Sequence, residues 1–475
     1  MSASVQNRYE RVFEYDSLSD RYARFLIDEL IPTVSAKYNL SKNPDDRGLA
    51  GISTGAVGAF MAAWNRPDQF HRVLSFIGTY VAMKGADSLP AIVRKTEPKP
   101  LRVFMQDGNA DHVTPDQPYG TFYAGSWPIN NQVMYEALVY AGYDVKLVMG
   151  TDGHNMQQGG AILPDALRWL WHDYPKPVLA RLPAALNQPG WDPRGKVYST
   201  ISPDEPWKQV GASYEEVAGL ATDRLGNVFF SVPAENRIYK SDGYGTVIVF
   251  KGQSNGTTAI RFGADGRLYA YQGLTRRLVS YGPGGDERTL AEDVDVEDIA
   301  VSVRSIVYFT DSIHRTIGMI DASGKIRTVY EGGEIAMPSG MALSPDQAML
   351  IVADELGRFS WSFQVGADGS LLNGEPFFRL EMPESGWTSG VRGVTEDSIG
   401  QVYFATPLGI QVCEANGRMA EILNPPVPGG VSALVFGGKD WNMLFVTQGG
   451  RVFRRAAKVT GNSVEAPAKP PQPPL

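Results

Sequence analysis

Hydrophobic and polar positions along the chain follow two different patterns, which change near residue 175. Up to there, short apolar runs such as RGLAGIS and PLRVFMQDG end in loops and alternate with helical stretches such as NNQVMYEALVYAGY. In residues 20–38, DRYARFLIDELIPTVSAKY, apolar side chains recur at helical spacing. This alternation of strands and helices predicts a parallel sheet covered by helices, an α/β domain over residues 1–175.

A repeat occupies the second half of the chain. After a proline-rich segment at 176–209, which we expect to be a linker or wrapping segment, six similar stretches recur at a spacing of roughly 40–50 residues. Each contains three strands joined by turns, as in GLATDRLGNVFFSVPAENRIYKSD. Because a radial arrangement of six such units hides nearly all strand edges, the repeat predicts a six-bladed β-propeller over 210–455. The tail at 456–475 has too few apolar groups to fold and is expected to be disordered.

Composition narrows the range of partners. The 475 residues include 44 basic and 52 acidic ones, which gives a formal net charge of −8. A polyanion would bind against this mean field, so no nucleic acid is expected. No apolar run approaches the roughly 20 residues of a membrane span, so no membrane partner is expected either. The single cysteine, Cys413, excludes an internal disulfide and a cysteine-rich metal site. Nothing in the sequence predicts an oligomeric state.

The first domain contains a candidate nucleophile. Gly51-Ile52-Ser53-Thr54-Gly55 follows the strand RGLA and precedes a helix, which is the context of a nucleophile elbow. We expect both glycines to be required because side chains beside so sharp a turn would clash. Ser53 would then stand at the carboxyl edge of the sheet, and the backbone N–H of Thr54 would supply one oxyanion donor. An ordinary glycine-rich turn is the competing interpretation.

A serine nucleophile needs a general base, which in this fold class follows the serine and the acid along the chain. Of the five histidines, His154 lies in a loop directly after a carboxyl-side strand, in VMGTDGHNMQQGG, and is the best candidate. His112 is a weaker rival. His71 and His172 fall at the edges of a strand and a helix, where a packing or surface role is expected.

The acid that orients this base is expected after the strand PLRVFMQ. Asp111 lies far enough into the following loop to reach an imidazole and is the first choice. Asp107, directly after the strand, is the second choice, and Asp152 is the third.

Four segments of residues 8–175 together resemble the esterase D and enterochelin-esterase-like hydrolases. They are FEYDSLSDRYARFLIDELIPTVSAKYNL, GISTGAVGAFMAAWNRPDQFHRVLSFIG, RKTEPKPLRVFMQDGNADH and AGYDVKLVMGTDGHN. The resemblance implies a carboxylic-ester hydrolase without a cofactor, with Ser53 as nucleophile, Asp111 as acid and His154 as base. It also implies a small-molecule ester as substrate.

In that family, further sheet strands and the loop that gives the second oxyanion donor precede the segment where this chain begins. We therefore expect a partial α/β-hydrolase domain with an exposed sheet edge. Loss of one oxyanion donor typically lowers the rate by about 100- to 1000-fold. The start MSASVQNRYERVFEYD has no signal-peptide run. An export signal is expected only if the true start lies upstream, so no compartment is predicted.

The propeller resembles the gluconolactonase, senescence-marker and regucalcin group over roughly 205–455, most clearly in GNVFFSVPAENRIYK and VYFTDSIHRTIG. Enzymes of that group hold a divalent cation in the central channel through oxygen ligands, and the Asp among them is the presumed base. Carried over by motif, the Glu position falls on Ala218, the two Asn positions fall on Glu297 and Ser339, and the Asp position falls on Arg392. A guanidinium has no acceptor, so we expect no metal there and an ion pair between Glu297 and Arg392 instead. Glu215 and Glu216 are alternative channel residues.

The sequence thus predicts a serine hydrolase whose degenerate propeller is an accessory module. Two alternatives are lactone hydrolysis in the propeller and a binding scaffold without turnover. A carbohydrate ester is a candidate substrate only by analogy with the sugar-lactone type of propeller.

Overall fold

The computed structural model describes residues 14–113, 124–180, 200–202, 205–384 and 386–463. The chain divides into two compact units, Met1–Pro193 and Arg194–Leu475. The predicted architecture, a parallel sheet with helices followed by a six-bladed propeller, is confirmed. Within the described ranges, the helices are too short or too polar to cross a membrane.

The first unit is built on a four-stranded parallel sheet. Its strands follow chain order: β1 (Gly48–Ile52), β2 (Arg72–Phe76), β3 (Arg102–Gly108) and β4 (Asp144–Gly150). The register brings Ile52 opposite Phe76, Phe76 opposite Gln106, and Gln106 opposite Val148. Because parallel strands in register end at the same edge, the four loops that follow them meet there. β1 is an edge strand of this sheet, and Ile52 is 49% exposed.

Helices cover both faces of this sheet. They are α1, a continuous helical run over 21–35 whose middle turn, Phe25–Leu30, is π-helical, α2 (Thr54–Asn65), α3 (Leu89–Lys95), α4 (Trp127–Tyr140) and α5 (Gln157–Leu170), with short 3₁₀ turns at Pro44–Asp46 and Met83–Ser88. Successive strand residues point to opposite faces. Val73 and Val103 accordingly pack with α1 to α4, whereas Leu74 and Phe104 pack with α5.

The second unit consists of six four-stranded antiparallel blades. In the first five blades the four strands are consecutive along the chain, and in the last blade three consecutive strands are joined by the strand that precedes the first blade. The strands are β5 (Lys208–Val210), β6 (Leu220–Thr222), β7 (Val228–Val232), β8 (Arg237–Ser241), β9 (Val247–Gly252), β10 (Thr257–Phe262), β11 (Leu268–Gln272), β12 (Arg277–Tyr281), β13 (Glu287–Glu292), β14 (Ile299–Val301), β15 (Val307–Asp311), β16 (Thr316–Ile320), β17 (Ile326–Tyr330), β18 (Pro338–Leu343), β19 (Met349–Asp354), β20 (Phe359–Val365), β21 (Leu371–Arg379), β22 (Val394–Glu396), β23 (Val402–Thr406), β24 (Gly409–Cys413), β25 (Met419–Leu423), β26 (Ala433–Gly437), β27 (Met443–Gln448) and β28 (Arg451–Ala456). A short 3₁₀ turn, Pro233–Glu235, lies in the first blade.

The ring is closed by a strand that the sequence pattern did not reveal. β5 precedes the first blade along the chain but pairs with β28 of the last one, so that Val210 lies opposite Val452. Most of β5 falls within the segment 176–209, which we predicted to be a linker. Three residues are too few to show a strand periodicity, and the pairing partner lies more than two hundred residues away.

The segment after the propeller also differs from its prediction as a disordered tail. Ala457 forms an isolated β-bridge with Ile201, and the backbone N–H of Lys458 donates to the carbonyl of Thr200 at 3.0 Å. Backbone pairing orders this part, although its side chains are mostly small or polar. The remainder of the tail, 464–475, and the linker residues 181–199 lie outside the described residues.

Candidate active site

Ser53 occupies the turn between β1 and α2. Its backbone has φ 57° and ψ −123°, a conformation that residues other than glycine rarely adopt. The turn is anchored to the loop after β2: the N–H of Ser53 donates to the carbonyl of Phe76 at 3.0 Å, and the carbonyl of Ser53 accepts from the N–H of Thr79 at 3.2 Å. Strain of this kind persists only where the surroundings hold it. The turn therefore has the strained strand-to-helix geometry expected of an elbow, and the role of Ser53 as a nucleophile stays a prediction.

The two glycines of the elbow differ in what they contribute. A Cβ on Gly51 would lie 1.9 Å from the carbonyl oxygen of Gly55, which is a severe clash. A Cβ on Gly55 would meet nothing closer than the ring of Tyr15, at 4.0 Å. The expectation that both glycines are required is therefore right for Gly51 and wrong for Gly55, whose backbone alone takes part in the close approach.

His154 lies between Ser53 and Asp111. Its Nε2 is 2.9 Å from the Ser53 hydroxyl oxygen, and its Nδ1 is 2.9 and 2.8 Å from the two carboxylate oxygens of Asp111. Asp111 is fully buried and His154 is partly buried. A carboxylate only accepts hydrogen bonds, so the proton of a neutral imidazole is assigned to Nδ1, and Nε2 is left to accept from the serine. The structure thus brings together the three residues that the sequence singled out, and their roles stay a prediction.

The two other candidate acids contact different groups. The carboxyl group of Asp107 accepts from the N–H of Gly108 at 2.8 Å and from the side-chain amide of Asn131 at 2.9 Å. Burial, reinforced by the neighbouring Asp111 carboxyl, raises the pKa of Asp107 to about 8. Asp152 acts through its backbone, since its carbonyl accepts from the N–H of Ala110 at 3.2 Å. Both residues therefore support the loop that carries Asp111.

His112, the weaker rival for the base, lies beside the chosen one. Its ring centroid is 4.8 Å from that of His154 and 5.0 Å from the ring of Trp127. Its Nε2 is 3.9 Å from an oxygen of Asp111. Partial burial lowers the pKa of His112. A neutral His112 ring places no additional positive charge beside the imidazole of His154.

The remaining histidines of this unit occupy the positions expected of packing and surface residues. His71 is buried and its Nδ1 lies 2.8 Å from the carboxylate of Asp45. His172 is exposed at the end of α5, and its Nδ1 lies 2.7 Å from the carbonyl of Trp169.

Among the residues that the structure describes, two groups of side chains have the composition to hold a metal ion. One is Asp111 with His112 and His154, and the other is Asp295 with Asp311 and His314 in the propeller. In the second group Asp295 is already paired with the guanidinium of Arg276 at 3.0 Å. In the first group the ligand atoms are those that hold His154 in place, so metal binding there would compete with the arrangement just described.

Thr79 is a site residue that the sequence analysis missed. It is fully buried, and its hydroxyl oxygen lies 3.1 Å from that of Ser53. The indole N–H of Trp127 donates to the same threonine oxygen at 3.3 Å. A signal was available, because Thr79 follows the carboxyl end of β2 just as the other three site residues follow β1, β3 and β4.

The propeller channel is a cavity of about 580 Å³. Ala218, Glu297 and Arg392 line it, as do the alternatives Glu215 and Glu216. Ser339 is buried instead, and its hydroxyl donates to the carbonyl of Val391 at 2.8 Å.

The expected ion pair between Glu297 and Arg392 is wrong, because Arg392 is paired with a different carboxylate. The Nε of Arg392 donates to the carboxylate of Glu355 at 3.2 Å, whereas Glu297 accepts from the hydroxyl of Ser312 at 3.4 Å. Partial loss of hydration in the channel raises the pKa of Glu297, and the negative charges of Glu355 and Asp298 raise it further. The motif identified Arg392 but could not show that Glu355 lies closer to it than Glu297 does.

Arg261 is a second arginine that lines the channel. The Nη2 of Arg261 lies 3.4 Å from Asp298, whose carboxylate also accepts from the N–H of Met341 at 2.8 Å. Burial raises the pKa of Asp298. Arg261 and Arg392 both line the channel, and each is paired with a carboxylate. The lining also contains acidic side chains: Glu215, Glu216, Asp295, Glu297 and Asp298. At two of the four positions carried over by motif, Ala218 and Arg392, the side chain has no acceptor, so the ligand set of that group is incomplete.

Comparison with known proteins supports both resemblances. Residues 2–169 match the family described as "Putative esterase", and residues 316–450 match the SMP-30/Gluconolactonase/LRE-like region. A gluconolactonase of Zymomonas mobilis is 24% identical over 237 residues, which is 43% of this chain and 64% of that protein. An iron(III) enterobactin esterase of Dickeya dadantii is 29% identical over 160 residues, which is 30% of this chain and 33% of that protein. The chain thus spans less than two thirds of either relative.

Among solved structures, a gluconolactonase from Xanthomonas campestris matches 55% of this chain and 92% of its own length. The sequence identity is 18% and the TM-score is 0.48. The two family matches show that the chain combines an esterase-family region with a gluconolactonase-like propeller.

Alanine substitutions at the two elbow glycines should change the free energy of unfolding in opposite directions. Gly51→Ala must displace the carbonyl of Gly55, and overpacking of this kind destabilises by about 1–3 kcal/mol. Gly55→Ala adds a methyl group in open space within the first turn of a helix and should stabilise by roughly 0.5 kcal/mol. Denaturant unfolding of the full chain measures both. Equal destabilisation by the two variants would contradict the steric account.

The buried carboxyl of Asp107 predicts a pH dependence of stability. Its pKa rises from an ordinary 3.8 to about 8 in the folded chain, so the native state binds more protons than the unfolded state between these values. Stability should therefore fall as pH rises through this window. Asp107→Asn removes the titrating group and should flatten the decline. Wild-type and variant unfolding curves that stay parallel from pH 4 to 8 would contradict the assignment.

Proposed function

We propose that this chain, which joins an esterase-family region to a gluconolactonase-like propeller, hydrolyses carboxylic esters through an acyl-enzyme on Ser53. The observation that carries the proposal is the position of His154, within hydrogen-bond distance of both Ser53 and Asp111. This is the geometry by which a serine hydroxyl is activated. The match of residues 2–169 to an esterase family supports the same chemistry.

The proposed reaction has two halves. The Ser53 oxygen attacks the acyl carbon while its proton passes to Nε2 of His154, and a tetrahedral intermediate forms. His154 then gives this proton to the alcohol oxygen, the ester bond breaks, and the acyl group stays on Ser53. In the second half a water molecule loses a proton to His154 and attacks the acyl carbon, and the serine leaves with that proton. Asp111 holds the imidazole in orientation and stabilises its charged form throughout.

The negative oxygen of each intermediate requires a donor, and we assign the backbone N–H of Thr54. Thr54 is the first residue of α2, directly after Ser53. The first N–H groups of a helix have no acceptor within the helix, and the partial positive charge of the helix terminus favours an anion. The N–H of Thr54 is therefore available to the negative oxygen. In other nucleophile elbows the residue after the nucleophile supplies one oxyanion donor in the same way.

For the substrate we propose a small-molecule ester, with a carbohydrate ester as the first class to examine. The carbohydrate component rests on the relationship of the propeller to gluconolactonases. We assign the propeller an accessory role because its channel lacks the ligand set of a metal-dependent lactonase. The enzyme would work without a cofactor, since each proton transfer has a residue of the chain as partner.

Substitution of the nucleophile or the base tests the proposal. Ser53→Ala and His154→Ala should each lower the kcat/KM for p-nitrophenyl acetate by at least about a thousandfold, because these residues act as a unit. His172→Ala is the matched control, since it removes an exposed imidazole of the same unit and should leave the rate unchanged. Full activity of Ser53→Ala would refute the proposal.

Chelation distinguishes the hydrolase from a lactonase in the propeller. Ester hydrolysis by Ser53 uses no metal, so excess EDTA should not change its rate. A gluconolactonase-type activity would instead depend on a divalent cation. Hydrolysis of an aldonolactone that EDTA abolishes and that Ser53→Ala retains would support the propeller as the catalytic unit.

A further inference from the structure

Four side chains follow the carboxyl ends of the four parallel strands, and together with Trp127 they form one continuous hydrogen-bonded series of five residues. The neighbours in the series are Trp127 and Thr79 at 3.3 Å, Thr79 and Ser53 at 3.1 Å, Ser53 and His154 at 2.9 Å, and His154 and Asp111 at 2.8 Å. Ser53, Thr79, Asp111 and His154 follow β1, β2, β3 and β4, respectively, and Trp127 begins α4. Of these five residues, the proposed mechanism uses only Ser53, His154 and Asp111.

The chemistry of the two ends fixes the direction of every hydrogen bond between them. An indole N–H can only donate, so the Thr79 oxygen accepts from Trp127. At the other end a carboxylate can only accept, so Asp111 receives Nδ1–H of His154, and Nε2 accepts from Ser53. The hydroxyl proton of Thr79 is then left to donate to the Ser53 oxygen. Every hydrogen bond in the series therefore points from Trp127 towards Asp111.

This direction determines how the nucleophile presents itself. A hydroxyl oxygen has one proton and two lone pairs. The proton of Ser53 is directed to His154, one lone pair receives Thr79, and one lone pair remains to attack the acyl carbon. When His154 takes the serine proton, the Thr79 hydroxyl still donates to the oxygen and stabilises the charge that develops on it. The same contact assists departure of the serine oxygen in the second half of the reaction.

We propose that Thr79 is a further catalytic residue, which donates a hydrogen bond to the nucleophilic oxygen of Ser53 and is itself oriented by the indole of Trp127. This inference rests on the proposed function, because it assigns a role within the same reaction. Thr79 has no solvent-exposed surface, so water cannot replace its hydroxyl without a rearrangement of the site. The backbone N–H of Thr79 also donates to the carbonyl of Ser53, which ties the donor to the strained turn that it serves.

The test compares Thr79→Val, which keeps the shape but removes the hydroxyl, with Thr79→Ser, which keeps the hydroxyl. A net neutral hydrogen bond corresponds to about threefold to tenfold in rate. The kcat of Thr79→Val for p-nitrophenyl acetate should fall by about that factor with little change in KM. Thr79→Ser should restore most of the rate. Trp127→Phe, which keeps an aromatic ring but loses the N–H, should also lower kcat.

The pH profile separates this role from a merely structural one. Thr79→Val leaves the contacts between His154 and Asp111 in place, so the plateau of kcat should drop while the midpoint of the acid limb stays constant. A wild-type rate in Thr79→Val would overturn the inference, and so would a loss that Thr79→Ser does not restore or a shifted midpoint. Failure of the proposed function is a different result: wild type and Ser53→Ala would then hydrolyse the ester equally slowly, and both claims would fall.

Discussion

The parallel register of four strands is the constraint on which the rest of the site depends. Because β1 to β4 run in the same direction and end together, one side chain from each following loop can meet the others without any long-range folding of the loops themselves. Ser53 comes one residue after its strand, and Thr79, Asp111 and His154 each come a few residues after theirs. A shift of one strand along its neighbour would move its loop by about 3.3 Å per residue, which exceeds the tolerance of a hydrogen bond. The geometry of the site therefore depends on the register of the sheet.

Burial gives the site its electrostatic character. Asp111 and Thr79 have no exposed surface, so their hydrogen bonds face little competition from water. A buried carboxylate is costly unless it is paired, and Asp111 meets this condition through His154. The neighbouring Asp107 meets it differently, through a raised pKa that favours the neutral acid. Two carboxyls only a few residues apart thus have different tasks, one as partner of the imidazole and the other as support for the loop, because their surroundings differ.

Much of this could be predicted from the sequence, and the exceptions share a cause. Short apolar runs predicted the strands of the sheet, and the turn around Ser53 predicted the elbow. The chain order of Asp111 and His154 predicted the two partners that the structure brings together. Thr79 was missed because its position just after β2 is the one signal for it, and a threonine there matches no known motif. β5 was missed because its partner lies at the far end of the propeller, and the pairing of Arg392 with Glu355 depends on side-chain positions across the channel. Local patterns predict elements, whereas contacts between distant segments require the fold.

The central claim is that His154 activates the Ser53 hydroxyl, and covalent labelling tests it most directly. A fluorophosphonate reacts with an activated serine through attack of the oxygen on phosphorus and loss of fluoride. Mass spectrometry of the digested wild-type chain should find the adduct on the peptide that contains Ser53, and the adduct should be absent from His154→Ala. Labelling at other serines alone, or equal labelling of Ser53 in the wild type and in His154→Ala, would contradict the account.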